Sequence, residues 1–411
     1  MTNHVDVVII GGGLVGASLA CALEPLGLRI TVLESVAFDS DAQPSFDERT
    51  IAITWSSRQV LEAVGIWHEI SEDANPIFSI HVSDRGQMGM IRLHCSMINT
   101  EALGYVLPAR SLGRILAQRL HNSECTRFLI PATAVDAQVT DDAVIIELED
   151  TPHTLTTSLL VIADGGRSTL REKVGIRKVE KPYRQAALVT LIDSDRHHSG
   201  VAYERFTRHG PLALLPTRES RFALAWTLPR ATAERYADLP ETELLRQLQQ
   251  VFGDRAGFFQ HAGKRRVYPL RRVSVEQPSV QRTVAIGNAA HEIHPVAGQG
   301  FNLGLRDVAE LAEVIASACK KKQDIGDPAL LHRYTHSRQH QVRRVTAFTD
   351  GLVQLFTNEV PGLGLLRSVG LNTVEILPPI KRALLRRTAG LSGRQPRLAR
   401  GLPLVTSGGH R

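Results

Sequence analysis

VDVVIIGGGLVGASLACALEPLGLRITVLE, residues 5–34, decides the fold. VDVVII (5–10) is an almost unbroken apolar run, the signature of a parallel strand buried on both faces. The spacing predicts a helix over LVGASLACALEPLG and a second strand at RITVLE (29–34), a βαβ unit about thirty residues long. Gly11, Gly13 and Gly16 fill the turn as G-x-G-x-x-G. The first glycine permits the tight turn, the second lets a pyrophosphate approach the backbone, and the third lets helix and strand pack closely. The helix start at Leu14 and Val15 offers free N–H groups to phosphates. Glu34, at the end of the second strand, is placed to accept hydrogen bonds from an adenosine ribose. An acid there suits FAD or NAD and repels a 2′-phosphate. On this motif alone a nicotinamide dehydrogenase and a flavoprotein both remain open.

The 411 residues exceed what one simple core holds, so the chain is expected to build two cores, or one core with a large insertion. Hydrophobic residues make up 43% and charged residues 22%, an ordinary globular mix. The apolar stretch VDVVIIGGGLVGASLACAL is not read as a signal anchor, because it lacks a basic leader, carries Asp6 and contains four glycines. Cys21, Cys95, Cys125 and Cys319 are far apart with no CxxC pair, which argues for reduced thiols and an intracellular, cytoplasmic setting. The formal charge is +6, with the excess in HRYTHSRQHQVRR (332–344) and KRALLRRTAGLSGRQPRLAR (381–400). With 5% aromatic residues and no aromatic-studded basic motif, that bias points to an anionic membrane surface and not to nucleic acid.

Further along, PARSLGRILAQRL (108–120) has helical spacing. AALVTLI, VAYERFT, PLALLP and RFALAW, within 184–228, read as strands of an antiparallel sheet with one apolar face. A helix at about 241–252, a strand TVAIG (283–287) and a helix from Phe301 follow, and beyond Asp327 nearly everything reads as helical. Gly298, Gly300 and Gly304 imitate a second dinucleotide loop, but ten residues separate them from the preceding strand, so they are not a second Rossmann unit.

Together with the first motif, VIADGGRSTLR (161–171) and RTVAIGNAAHEIHPVAGQGFNLGLRD (282–307) resemble the FAD-dependent aromatic hydroxylases of the p-hydroxybenzoate-hydroxylase-like class. DERTIAI (47–53) and ERFTRHGPLALLP (204–216) resemble its ubiquinone-biosynthesis branch, nearest to the 2-polyprenyl-6-methoxyphenol hydroxylases. The resemblance implies an α/β fold: a Rossmann-like FAD-binding domain over 1–76, 105–180 and 277–326, an inserted antiparallel-sheet substrate domain over 77–104 and 181–276, and a helical C-terminal region over 327–411. It implies that Arg49 and Arg110 reach the FAD, that Asp164 and Gly165 sit by its pyrophosphate, and that Pro295, Gly298, Gln299, Gly300, Phe301 and Asn302 line the flavin. Asn288 stands where the wider family usually has an aspartate on a ribityl hydroxyl, a change from a charge-assisted bond of about 1.5–3 kcal/mol to a neutral one of about 1.

The expected reaction is hydroxylation of a polyprenylated methoxyphenol in ubiquinone biosynthesis, with NADPH or NADH and O2, through a flavin C4a-hydroperoxide. Phe206, His209, Leu212, Leu214 and Pro216 are candidates for the substrate pocket, against the plain alternative that they form the core of the sheet. No general base stands out. His291 and His294 lie three apart with no third ligand at zinc spacing, so a structural role is expected and no metal. PGLGLLRSVGLNTVEILPPIKRALLRR (361–387) mixes leucine-rich helical runs with a basic end. It is expected to dock on the inner face of the cytoplasmic membrane, beside other ubiquinone-biosynthesis proteins. A sibling hydroxylase of another ring position, a prenyl-chain reductase and a non-enzymatic flavin-bound subunit would share the FAD motifs.

Overall fold

Val7 and Ile9 of the strand Asn3–Ile10 pack into one apolar cluster and Val8 and Ile10 into another, so this strand is buried on both faces. It lies inside an eight-stranded sheet, between Ile30–Leu33 and Thr154–Ile162, both parallel to it. Thr126–Leu129 and Thr283–Ala285 extend the parallel set on either side. The computed structural model describes residues 3–37, 49–358 and 360–405; the start of the DERTIAI motif, residues 47 and 48, lies outside them. Helices Leu14–Leu23, Ala109–His121 and Gln299–Lys320 contribute to the cluster beneath one face. The chain thus leaves this sheet after residue 162 and returns to it near 279.

Most of a nine-stranded sheet is built between those points, with Ser79–Asp84 and Met90–His94 added from before residue 162 and His291–Glu292 from after 279. Across it run Arg266–Val275, Lys178–Ser194, Arg221–Pro229, Gly210–Pro216, Val201–Thr207, Ser79–Asp84 and Met90–His94. Its pairs are antiparallel except where Val201–Thr207 runs parallel to Ser79–Asp84. Strand Lys178–Ser194 starts ahead of the boundary expected at 181, and His291–Glu292 pairs on the far edge of the sheet. A small third sheet joins Thr50–Thr54, Gly104–Pro108 and Asn75–Ile77, which the sequence reading did not separate out.

The nine-stranded sheet has two apolar faces. One, with Leu188, Leu224 and Trp226, is covered by helices Arg230–Asp238 and Glu241–Phe252. The other carries Phe206 and Leu215 and meets Val296, Val353, Phe356, Leu371 and Leu385. The helices Pro328–Thr357, Leu363–Ile376 and Pro378–Thr388 therefore supply part of that second core. No helix among the described residues is long and apolar enough to cross a membrane.

Candidate active site

The turn after the first strand is shaped by the absence of side chains. Gly11 has φ +100°, and a Cβ there would meet the Ala163 carbonyl and Asp164 Cα at 2.8 Å. A Cβ on Gly16 would lie 2.0 Å from the Gly11 carbonyl oxygen, so the helix can begin only where glycine stands. Gly13 caps that helix in extended backbone, leaving the first-turn N–H groups at Leu14 and Val15 directed at the turn. Glu34 is buried, and its two carboxylate oxygens accept from the Gly12 N–H at 2.9 Å and the Val36 N–H at 3.0 Å. These bonds fix the carboxylate, and each oxygen keeps a second lone pair for a ribose hydroxyl.

The three glycine-bearing segments converge on this turn. Gly11 abuts Ala163 and Asp164, while Val15 is wedged against Gly287 and Gly304, whose added Cβ atoms would lie 3.1 and 2.8 Å from it. Gly298, at φ +61°, caps the helix Gln299–Lys320 with its Cα beside Ala52. That cap places the helix start two residues before the expected Phe301. Nothing stands within 4 Å of a Cβ built on Gly300 or Gly165, so both border open space. Asn288 and Pro295 are exposed, and Phe301 is half-buried against the first core. Asp164 is exposed at its tip but crowded by protein, and this desolvation pushes its pKa up to about 6, opposed by a hydrogen bond from Ser168. Two helix starts, glycine walls with open space before them and a fixed acid in a tight turn fit an FAD-type dinucleotide.

Other candidates are placed less simply. Asn302 turns its side chain into the protein: its Oδ1 accepts from the Thr54 N–H at 2.7 Å, and its Nδ2 donates to the Ala52 and Gly298 carbonyls at 2.8 and 2.7 Å. It clamps the cap and does not line a cofactor surface with its amide. The Arg49 guanidinium lies 5.0 Å from the Tyr268 ring centroid, at a cleft of about 440 Å³ that Val189, Leu191 and Arg266 also line. Arg110 is exposed in the first turn of Ala109–His121.

Of the proposed substrate residues, Leu212 and Leu214 belong to the core under the sheet's helix-covered face, as the alternation along Gly210–Pro216 requires. Pro216 pairs with Phe222 of that same core. The assignment of these three to a substrate pocket is therefore corrected to sheet core; a one-residue shift in phase would have pointed to Leu215 instead. Phe206 does lie on the opposite face, stacked on Phe356 at 3.9 Å and fully buried. His209 sits in the hairpin turn, where its carbonyl accepts from Gln185.

Both histidines of the third segment are buried. His291 Nε2 lies 2.6 Å from Asp307 Oδ2, and Asp307 Oδ1 accepts from Arg338 Nε at 2.7 Å. The same carboxylate accepts from the Gly287 N–H at 2.9 Å. Burial works to raise the Asp307 pKa, but His291 and Arg338 outweigh it and hold it at about 2. Sequence reasoning missed Asp307 and Arg338; the available signal was an acid within the apolar register of Val308, Leu311 and Ile315. His294 Nδ1 accepts from the Val296 N–H at 3.3 Å, and burial lowers this histidine to about 4, against the pull of Asp350. It is neutral at pH 7, edge-on to Tyr183 at 5.1 Å. Tyr183 donates to Asp350 Oδ1 at 2.7 Å while Arg272 donates to Oδ2 at 2.9 Å, and burial with Asp350 raises the phenol pKa.

Residues 4–349 match the family described as FAD binding domain. The chain is 36% identical over 403 residues to ubiquinone hydroxylase UbiL of Rhodospirillum rubrum, covering 97% of this chain and 93% of that protein. It is 29% identical over 434 residues to the mitochondrial ubiquinone biosynthesis monooxygenase COQ6 of Homo sapiens, covering 92% of this chain and 91% of the relative. In fold it resembles p-nitrophenol 4-monooxygenase PnpA from Pseudomonas putida, with a TM-score of 0.78 at 19% identity, covering 96% of this chain and 100% of the other.

Proposed function

Because the chain belongs to the FAD-binding-domain family of flavin-dependent aromatic monooxygenases, enzymes that use FAD, NAD(P)H and O2, we propose that it hydroxylates a polyprenylated phenol of ubiquinone biosynthesis. The observation that carries this reading is full-length similarity to ubiquinone hydroxylases, joined to a glycine cradle at the convergence of three motifs where Gly165 and Gly300 border open space.

Bound FAD supplies the hydride acceptor and the oxygen-activating chemistry. The chain's own work is placement. Gly11, Gly13 and Gly16 with the helix start at Leu14 and Val15 would hold the pyrophosphate, Glu34 the ribose, and the Gly298-capped helix start the flavin edge. Its first-turn N–H groups provide fixed partial positive charge where reduced flavin carries negative charge. Asp307 ties the Gly287–His291 turn to that helix and, through Arg338, to the C-terminal helix. Phe206, Leu215 and Val296 pack with Phe356 and Leu385 into an apolar core that would back the ring site and keep water out from that side. His294 and Tyr183 remain uncharged at neutral pH and add no net charge of their own.

The substrate's lipid tail motivates the proposed location, peripheral on the inner face of the cytoplasmic membrane. Leu365, Leu366, Val369, Ile376 and Ile380 are exposed on the last helices, with Val360 exposed just before them, and Leu365 and Ile376 are 69% and 74% accessible. Residues 361–405 hold eight basic side chains and a single acid, Glu375. An apolar surface with a basic border suits an anionic bilayer.

The test is a substrate panel. FAD-loaded enzyme is given NADPH or NADH and phenols with and without a prenyl tail, and products are identified by mass. A product one oxygen heavier, formed only from prenylated phenols, is expected. Hydroxylation of short phenols alone, or saturation of a prenyl double bond, would refute the reading. Proton NMR of the isolated product assigns the ring position.

A further inference from the structure

On the side of the flavin helix Gln299–Lys320 turned toward the C-terminal helices lies a narrow cleft open to solvent. Gln299, Leu303 and Arg306 line it from that helix at helical spacing, Ser56 and Ser57 from the start of Trp55–Ala63, and Gln341 and Arg387 from the C-terminal helices. Two guanidinium groups line it, and no aspartate or glutamate does.

The hydrogen bonds of these arginines all go to neutral oxygens. Arg306 Nη2 donates to Ser56 Oγ at 3.4 Å, to Gln395 Oε1 at 3.3 Å and to the Gly390 carbonyl. Arg387 Nη2 donates to the Arg344 carbonyl at 2.9 Å, and its guanidinium lies 4.6 Å from the Phe348 ring centroid. Arg338 repels Arg306, while Glu310, one turn along the helix, attracts it without forming a salt bridge to it and accepts the Ser337 hydroxyl at 2.7 Å. Burial, then Arg338, push the Arg306 guanidinium down to about 10, with Glu310 opposing. A half-buried cation whose hydrogen bonds all go to neutral oxygens gains from a direct anionic partner. Guanidinium forks converging from two elements, with hydroxyl and amide donors between them, suit a tetrahedral oxyanion carrying more than one charge.

We propose that this cleft between the flavin helix and the C-terminal helices binds a phosphate-bearing anion, gripped by Arg306 and Arg387. The inference does not depend on the substrate named above. A phosphate ester or diphosphate in solution and the headgroup of an anionic phospholipid share the chemistry, and the experiment separates them.

Calorimetric titration of the FAD-loaded enzyme would use inorganic pyrophosphate in one arm and a short-chain phosphatidylglycerol, below its micelle concentration, in the other. Flavin absorbance confirms that FAD stays bound and occupies its own pyrophosphate site. Saturable binding is expected in at least one arm, weakened roughly tenfold or more by Arg387→Gln and by Arg306→Gln. The arm with the tighter binding identifies the source. Should Arg306→Gln fail to fold, Arg387→Gln on the rim decides. No saturable binding in either arm, affinities unchanged in Arg387→Gln, or equal binding of citrate would overturn the proposal.

Discussion

Gly16 and Gly300 are both motif glycines, but the structure gives them opposite reasons to be glycine. A Cβ at Gly16 would strike the Gly11 carbonyl oxygen, whereas one at Gly300 meets nothing within 4 Å. Gly16→Ala should therefore destabilise the FAD-free protein by roughly 1–3 kcal/mol through overpacking. Gly300→Ala should leave it as stable or stabilise it by up to about 1 kcal/mol, because alanine is the better helix former, yet weaken FAD. Denaturant melts of FAD-free protein and fluorescence titration with FAD measure both; full FAD affinity in Gly300→Ala would show that the open space is not the flavin's. Asp164 offers a second test. Its carboxyl, pushed up to about 6 by burial, is neutral below that pH and charged above it. If it borders the pyrophosphate, raising the pH from 5 to 7 brings like charges together and weakens FAD several-fold, while Asp164→Asn shows a flat profile. A wild-type profile as flat as the variant's would move Asp164 away from the phosphates. The residue types at these positions were legible in the sequence; which glycine guards the fold and which guards the ligand was not, because that depends on how the folded turn brings the Gly11 carbonyl onto Gly16 and leaves open space at Gly300.

At the scale of elements, periodicity served well and phase did not. The four strands expected within 184–228 form, as do the helices after Asp327. The side of the sheet that Leu212 and Leu214 face was not readable, because helices cover one face and the other, packed on the C-terminal helices, is equally apolar. The same ambiguity shaped the C-terminal helices. Leu371 and Leu385 are buried in a core shared with Val296, so removing residues after 360 would open that core. Surface substitution tests docking more cleanly. Leu365→Asp combined with Leu366→Asp should sharply reduce flotation with phosphatidylglycerol vesicles while the flavin spectrum stays unchanged, since both side chains are exposed. Flotation equal to wild type would place the membrane contact elsewhere.

For the whole molecule, the two large sheets are joined through the third glycine segment. His291–Glu292 pairs with the edge of the nine-stranded sheet, the strand Thr283–Ala285 before it belongs to the parallel sheet, and Asp307 holds the turn between them. Both sheets thus meet in one stretch of about twenty residues, 283–302, and a shift in either is felt at the start of helix Gln299–Lys320. Such an arrangement suits chemistry in which oxygen must pass from a cofactor on one sheet to a ring held against the other. The decisive measurement is turnover under 18O2 with NADPH and a polyprenylated phenol, followed by mass analysis of the product. One 18O atom in the product ring, with none when the label is in water, is the predicted result. An unlabelled product, or consumption of O2 that yields only hydrogen peroxide with each prenylated phenol tried, would contradict the assignment of this chain as their hydroxylase.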